Sequence, residues 1–154
     1  IQSERPKLLE VLRGIQLLVI NDEELRQLAG DHNIKRSARA VLGMGPTRLI
    51  VKRGDAGALM FDSEGVFFAP ALPLHAEVDP TGAGDTFAGA TLGHLAGLGV
   101  TDTHALRRSI LVGSTVASFC VEGVGCRALE RVTRESVRAR LDELRALIHV
   151  ADWA

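Results

Sequence analysis

The sequence predicts an α/β fold, with strands and helices alternating over its first part and helices alone over its last. Three observations carry this. The runs Leu17 to Ile20 and Leu49 to Lys52 are apolar, partly β-branched and of strand length, as buried parallel strands are. The first opens directly onto Asp22, Glu23 and Glu24, acidic residues that favour a helix start, and the second runs straight into Gly54 and Gly57. From Thr86 to Leu98 the residues are small or apolar without a breaker, which reads as a buried helix fed by a glycine-rich loop.

In chain order, a short helical stretch is expected around Lys7 to Leu12, then the Leu17 strand and the Asp22 helix. Ile34 to Leu42 reads as a helix closed by Gly43, and Leu49 to Lys52 as the next strand. Gly57 to Phe61 and Val66 to Ala69 flank the polar turn Asp62-Ser63-Glu64-Gly65, a hairpin pattern. Pro70 and Pro73 carry an extended connection to Asp79. A helix from about Thr103 to Val121 follows the Thr86 helix, and a last one begins near Thr133. In that helix Val137, Leu141, Leu144 and Ile148 share a face opposite arginines and acids, which suits packing on a core.

The 154 residues fit one domain, and 46% hydrophobic residues can fill a core. A net charge of −1, three lysines, dispersed arginines and 4% aromatics offer neither a basic tract nor a stacking platform, so nucleic acid is not the expected partner. Cys120 and Cys126 form no disulfide framework and no metal-ligand pair with a second half; reduced thiols in or near the core are expected. The five histidines lack ligand spacing. No apolar run approaches a membrane span and no signal peptide is evident, so a cytoplasmic location is expected.

The segment Val78 to Ala90, VDPTGAGDTFAGA, carries the chemistry. Gly82 and Gly84 permit a tight turn, so the amides of Gly82, Ala83, Gly84 and Asp85 can converge on one point at the positive end of the following helix. That point suits an anion. A carboxylate there, Asp85, would repel a phosphate unless it has a task, and accepting a proton from an attacking hydroxyl is such a task. Gly43-Met44-Gly45 looks like the start of a dinucleotide fingerprint, but it follows a helix and precedes a strand, the reverse of what pyrophosphate binding requires. There is no Gly-Lys-Ser or Gly-Lys-Thr, and hence no P-loop.

DPTGAGD followed by TFAGA resembles the C-terminal signature of the PfkB (ribokinase-like) family of carbohydrate and nucleoside kinases. Two further segments stand in the order that family requires: LLVINDEELRQLAG, Leu17 to Gly30, and LIVKRGDAGALMF, Leu49 to Phe61. The resemblance implies a three-layer α/β/α ribokinase-like fold, of which this chain is the C-terminal, nucleotide-binding half. The N-terminal half, with its Gly-Gly signature, its sugar contacts and its β lid, is expected to be absent. It implies Asp85 as the general base and Gly82, Ala83 and Gly84 as the anion hole. Asn21 and Glu24 match an N-x-x-E motif that organises Mg²⁺ through water; the same residues also read as a helix cap with a solvated face. Lys52 to Gly57 would lie along the nucleotide phosphates and ribose, with Gly54 allowing close approach and Lys52 or Arg53 adding charge. A simple turn is the other reading of that loop. ASFCVEGVGCR, with Gly125, would border the adenine. Asp79 and Thr81 would support the anion-hole loop and help hold a potassium-type cation, or Asp79 would merely cap its turn.

The cofactors so implied are ATP, Mg²⁺ and K⁺, and the partner is a small sugar or nucleoside: ribose, fructose, a phosphosugar, a deoxy-keto acid or adenosine. Two function classes follow. One is an ATP-dependent kinase of such a metabolite, of which this is the catalytic part. The other is a nucleotide-binding or structural module without turnover of its own. In either case the edge left by a missing half-sheet is expected to promote association.

Overall fold

A computed structural model describes residues 4–150. The elements run α1 (Arg5–Gly14), β1 (Leu17–Asn21), α2 (Asp22–Ala29), α3 (Ile34–Leu42), β2 (Arg48–Lys52), β3 (Ala58–Asp62), β4 (Gly65–Ala69), α4 (Ala83–Leu98), α5 (Thr103–Cys120) and α6 (Arg134–Leu147). Short 3₁₀ turns occupy Gly54–Ala56 and Arg127–Arg131. The described residues fall into two compact units, residues 4–53 with 58–68, and residues 54–57 with 69–150.

The first unit is organised by a four-stranded sheet of order β1-β2-β3-β4. β1 pairs parallel to β2, with Leu18 opposite Leu49 and Ile20 opposite Val51. β2 pairs antiparallel to β3, with Leu49 opposite Phe61 and Val51 opposite Leu59. Because side chains alternate along a strand, this register puts Leu18, Ile20, Leu49, Val51, Leu59 and Phe61 on one face. That face packs with Leu12 of α1, Leu25 and Leu28 of α2, and Ala38 and Val41 of α3 into one core. Gly45 lets two segments meet at its edge: its φ is +148°, and a Cβ there would lie 2.2 Å from the carbonyl oxygen of Leu12. The Gly43-Met44-Gly45 pattern is therefore explained by packing.

One sequence expectation is corrected here. Leu17 to Ile20 is half-exposed along its length, not buried, because β1 is a terminal strand with a single neighbour among the described residues.

The second unit is helical. α4 lies on α5 through Phe87, Thr91 and Leu95, which are buried at helical spacing. Gly113 of α5 makes the approach possible, since a Cβ there would stand 2.1 Å from Thr91 Oγ1 and 2.8 Å from the Phe87 carbonyl. His94 Nδ1 lies 2.8 Å from Ser109 Oγ, fixing the pair along its length. The expectation of a wholly buried helix holds for this face alone; Leu92 is 47% exposed and Gly89 and Gly93 face open space. α6, capped by Thr133, joins α5 through Arg140, which forks onto Glu122 at 2.7 and 3.1 Å and stacks 3.6 Å from the ring centroid of Phe119. The shared apolar face of α6 is graded: Leu144 is buried, Val137 and Leu141 are half-buried, and Ile148 ends the helix exposed. No helix among the described residues is long and apolar enough to cross a membrane.

Candidate active site

The glycine-rich loop of the second unit forms a small, closely tied structure. Asp79 Oδ1 accepts the Thr81 amide at 2.9 Å, and Asp79 Oδ2 accepts the Gly125 amide at 2.9 Å. Hydrogen bonds from the Thr81 side chain and amide, then from the Gly125 amide, hold the Asp79 carboxyl below the usual carboxylate range. The amides of Val78 and Asp79 also donate to the Val121 carbonyl, at 2.8 and 3.3 Å. Two loops far apart in sequence, 78–82 and 121–126, are thus one assembly.

Gly82 is the N-cap of α4, with φ +86°, a left-handed conformation that a side chain would strain. A Cβ there would also lie 2.8 Å from Cys126 Sγ and 3.7 Å from Cys120 Sγ. Of the four amides grouped by the sequence, that of Ala83 is engaged, donating to the Pro80 carbonyl at 3.1 Å in the turn that starts the helix. The amides of Gly82, Gly84 and Asp85 make no backbone bond among the described residues, as the first turn of a helix leaves them. Asp85 is the sole acidic residue of that first turn, and it is exposed. An anion at the amides and a proton acceptor beside it are what this end of α4 can provide.

In the first unit, Asn21 and Glu24 form a reciprocal cap: Asn21 Oδ1 accepts the Glu24 amide at 2.7 Å, and Glu24 Oε2 accepts the Asn21 amide at 2.8 Å. The helix-cap reading of the N-x-x-E spacing is therefore present in full. It uses Glu24 Oε2. Lys52 ends β2 half-exposed.

The two glycines after it differ. Gly54, with φ +58°, has nothing within 4 Å of a Cβ position, so its backbone is open to approach. Gly57, with φ +78°, is needed for packing, since a Cβ there would lie 2.2 Å from the Ala69 carbonyl. Gly125 serves through its amide on Asp79.

Three features are announced by no pattern in the sequence. Cys120 and Cys126 flank Gly82. The Glu122–Arg140 fork adjoins a cavity of about 400 Å³ lined in part by Leu74, His75, Val78 and Glu143. Arg53 Nε is buried without a partner. The first two depend on contacts between residues tens of positions apart, which no local pattern reports.

The second unit carries a glycine-started helix with free amides and an exposed carboxylate, and the first carries strand ends with Asn21, Glu24 and Lys52; each belongs to a fold of the ribokinase-like class. The chain belongs to the pfkB family of carbohydrate kinases, whose model matches residues 1–132. It is 38% identical over 92 residues to a cytidine kinase from Thermococcus kodakarensis, covering 58% of this chain and 33% of that one. It is 27% identical over 147 residues to a nucleoside kinase from Methanocaldococcus jannaschii, covering 94% and 45%. Among solved structures, aminoimidazole riboside kinase from Salmonella enterica, complexed with aminoimidazole riboside and an ATP analogue, matches with a TM-score of 0.81 and 27% identity, over 92% of this chain and 47% of that one. The chain spans less than half the length of these relatives, and the fold is the corresponding part of the ribokinase-like kinases.

Proposed function

We propose that this chain supplies the nucleotide-binding and catalytic part of an ATP-dependent kinase that phosphorylates a hydroxyl of a small sugar or nucleoside. The observation that carries the reading is Asp85: an exposed carboxylate in the first turn of α4, beside the free amides of Gly82, Gly84 and Asp85 itself. The amides and the helix dipole bind the γ-phosphate and stabilise charge on it during transfer. As the acceptor hydroxyl attacks phosphorus in line, its proton passes to Asp85 and the bond to ADP breaks. A carboxylate suffices as the base, because the hydroxyl becomes acidic only as its bond to phosphorus forms.

Lys52 and the open backbone at Gly54 are assigned to the nucleotide phosphates, with Gly57 shaping their loop and Gly125 bordering the base. Asn21 and Glu24 are assigned to Mg²⁺, held through water at Glu24 Oε1; bound there, the ion would neutralise phosphate charge. Asp79, ionised, and the carbonyl of Thr81 are the groups assigned to a potassium-type ion. The location proposed is the cytoplasm.

Two of the relatives named above are a cytidine kinase and a nucleoside kinase, and a third acts on a riboside, which favours a nucleoside acceptor over a free sugar. The test is transfer of labelled γ-phosphate from ATP to cytidine, aminoimidazole riboside, ribose, fructose and 2-dehydro-3-deoxygluconate. It is run on the chain alone and with the N-terminal half of a related kinase supplied in trans. Where the wild type turns over, Asp85→Asn should lower kcat by orders of magnitude while ATP affinity changes little. Near-normal turnover in that variant would remove Asp85 from the role of base.

A second reading is a nucleotide-binding or structural module without its own turnover. ATP binding without transfer in either format would select it.

A further inference from the structure

We propose that Cys120 and Cys126 are a redox-active pair that forms a disulfide behind the Gly82 turn. Both sulfurs lie against the same glycine: a Cβ at Gly82 would be 2.8 Å from Cys126 Sγ and 3.7 Å from Cys120 Sγ. Both thiols are free. Cys126 is exposed and opens the Arg127–Arg131 turn, whereas Cys120 is buried at the end of α5. The six-residue step between them contains Gly123 and Gly125, whose backbone freedom lets the sulfurs close the remaining distance. Cys120 Sγ also lies 3.7 Å from the Thr81 carbonyl and 3.5 Å from that of Gly125, so the buried thiol touches both loops of the Asp79 assembly.

The oxidant we assign is a small-molecule disulfide of the glutathione type. The Cys126 thiolate attacks one sulfur of the oxidant, forming a mixed disulfide and expelling one glutathione thiolate. Cys120 then loses its proton to solvent and attacks Cys126 Sγ, expelling the second. Two protein thiols lose two protons and two electrons, and one oxidant disulfide is reduced to two thiols. Burial, and then the neighbouring Cys126, push the Cys120 thiol up, so the second step is the slow one and quickens with rising pH.

The consequence reaches the anion loop. Drawing Cys126 toward Cys120 moves the 121–126 segment, whose Gly125 amide holds Asp79 Oδ2, while Asp79 Oδ1 holds the Thr81 amide that precedes Gly82. Oxidation therefore displaces the turn that presents Gly82, and weakens phosphate binding severalfold; that last part rests on the phosphate-binding role proposed above.

The folded chain is treated with oxidised glutathione, and intact mass, alkylation and amide NMR spectra are recorded. The wild type should lose two hydrogens and both alkylatable thiols, and the Gly82 and Gly125 amide resonances should move. Cys120→Ser should stop at a glutathione adduct on Cys126, and Cys126→Ser should acquire none. Persistence of the adduct in the wild type, a disulfide only between two chains, or unmoved Gly82 and Gly125 resonances would overturn the proposal. ATP titrations of the reduced and oxidised forms separate the two ideas. Equal affinities would refute control of the loop by oxidation, whereas failure of the reduced chain to bind ATP would refute the phosphate role and leave the disulfide to be judged by mass.

Discussion

Asn21 and Glu24 cap one another, each side chain accepting the other residue's backbone amide, at 2.7 and 2.8 Å. The spacing that resembles a metal-organising motif is thus also what a capping box needs, and the two roles are separable by substitution. Glu24→Gln retains the acceptor and removes the charge. It should leave thermal stability within about 0.5 kcal/mol of wild type while raising the Mg²⁺ concentration for half-maximal rate or ATP binding. Asn21→Ala removes the cap and should cost about 1 kcal/mol. An unchanged Mg²⁺ titration in Glu24→Gln would return the motif to a purely structural role.

How much of this was legible depended on range. α3 spans Ile34–Leu42 and ends at Gly43, as its sequence reads, although Gly43 closes it in the right-handed region with φ −66°. Thr133 likewise marks the start of α6. α4 starts at Ala83, three residues before the expected Thr86, because Gly82 in the left-handed region and the Pro80 carbonyl already organise the first turn. The composition of residues 82–85 looks like loop while its hydrogen bonding is helical. The placement of Cys120 and Cys126 against Gly82 belongs to tertiary contact and was not readable. The place of Gly82, Gly84 and Asp85 at a helix start was readable because a glycine turn, a helix start and a carboxylate adjoin in the chain itself.

Gly82 carries two separate constraints, its φ of +86° and the 2.8 Å approach of Cys126 Sγ. Gly82→Ala should therefore destabilise by about 1–2 kcal/mol from backbone conformation, with a further cost from the sulfur contact. In a Cys126→Ala background the contact part disappears and the conformational part stays. A double-mutant cycle by denaturant unfolding checks this. A cost equal in both backgrounds would mean the sulfur yields freely and only φ matters.

Asp31 gives the first unit an acid limit. It receives Arg36 through two hydrogen bonds of 2.7 and 3.0 Å and the Asn33 amide at 2.8 Å, and these hold its pKa at about 2. A carboxyl whose folded pKa is lowered contributes stability that is complete above its unfolded pKa of about 3.9 and is lost as pH falls through the folded value. Asp79, also lowered, acts in the same sense on the glycine loop. Melting curves from pH 6 to pH 2 should show Asp31→Asn less stable than wild type at pH 6, with the gap closing toward pH 2. A gap that stays constant across that range would show the contribution to be independent of ionisation.

β1 is a terminal strand with one hydrogen-bonded neighbour, yet four of its five residues, Leu17 to Ile20, are apolar and every one of the five is half-exposed. Strands in parallel pairing are normally covered on both faces and continued by another strand, and an open apolar edge is a template for a further chain. β4, at the other end, exposes Val66 and Phe68, at 52% and 49%, but Gly65 and the short turn before it weaken it as a template. The purified chain should self-associate, and through β1. In sedimentation, Val19→Lys should shift the population to monomer, because a charged side chain on an edge strand disfavours edge-to-edge pairing, while Val66→Lys should leave association nearly unchanged. The reverse order of effects would assign the interface to β4, and a wild-type chain that stays monomeric at high concentration would show that the half-exposed edge is tolerated in water.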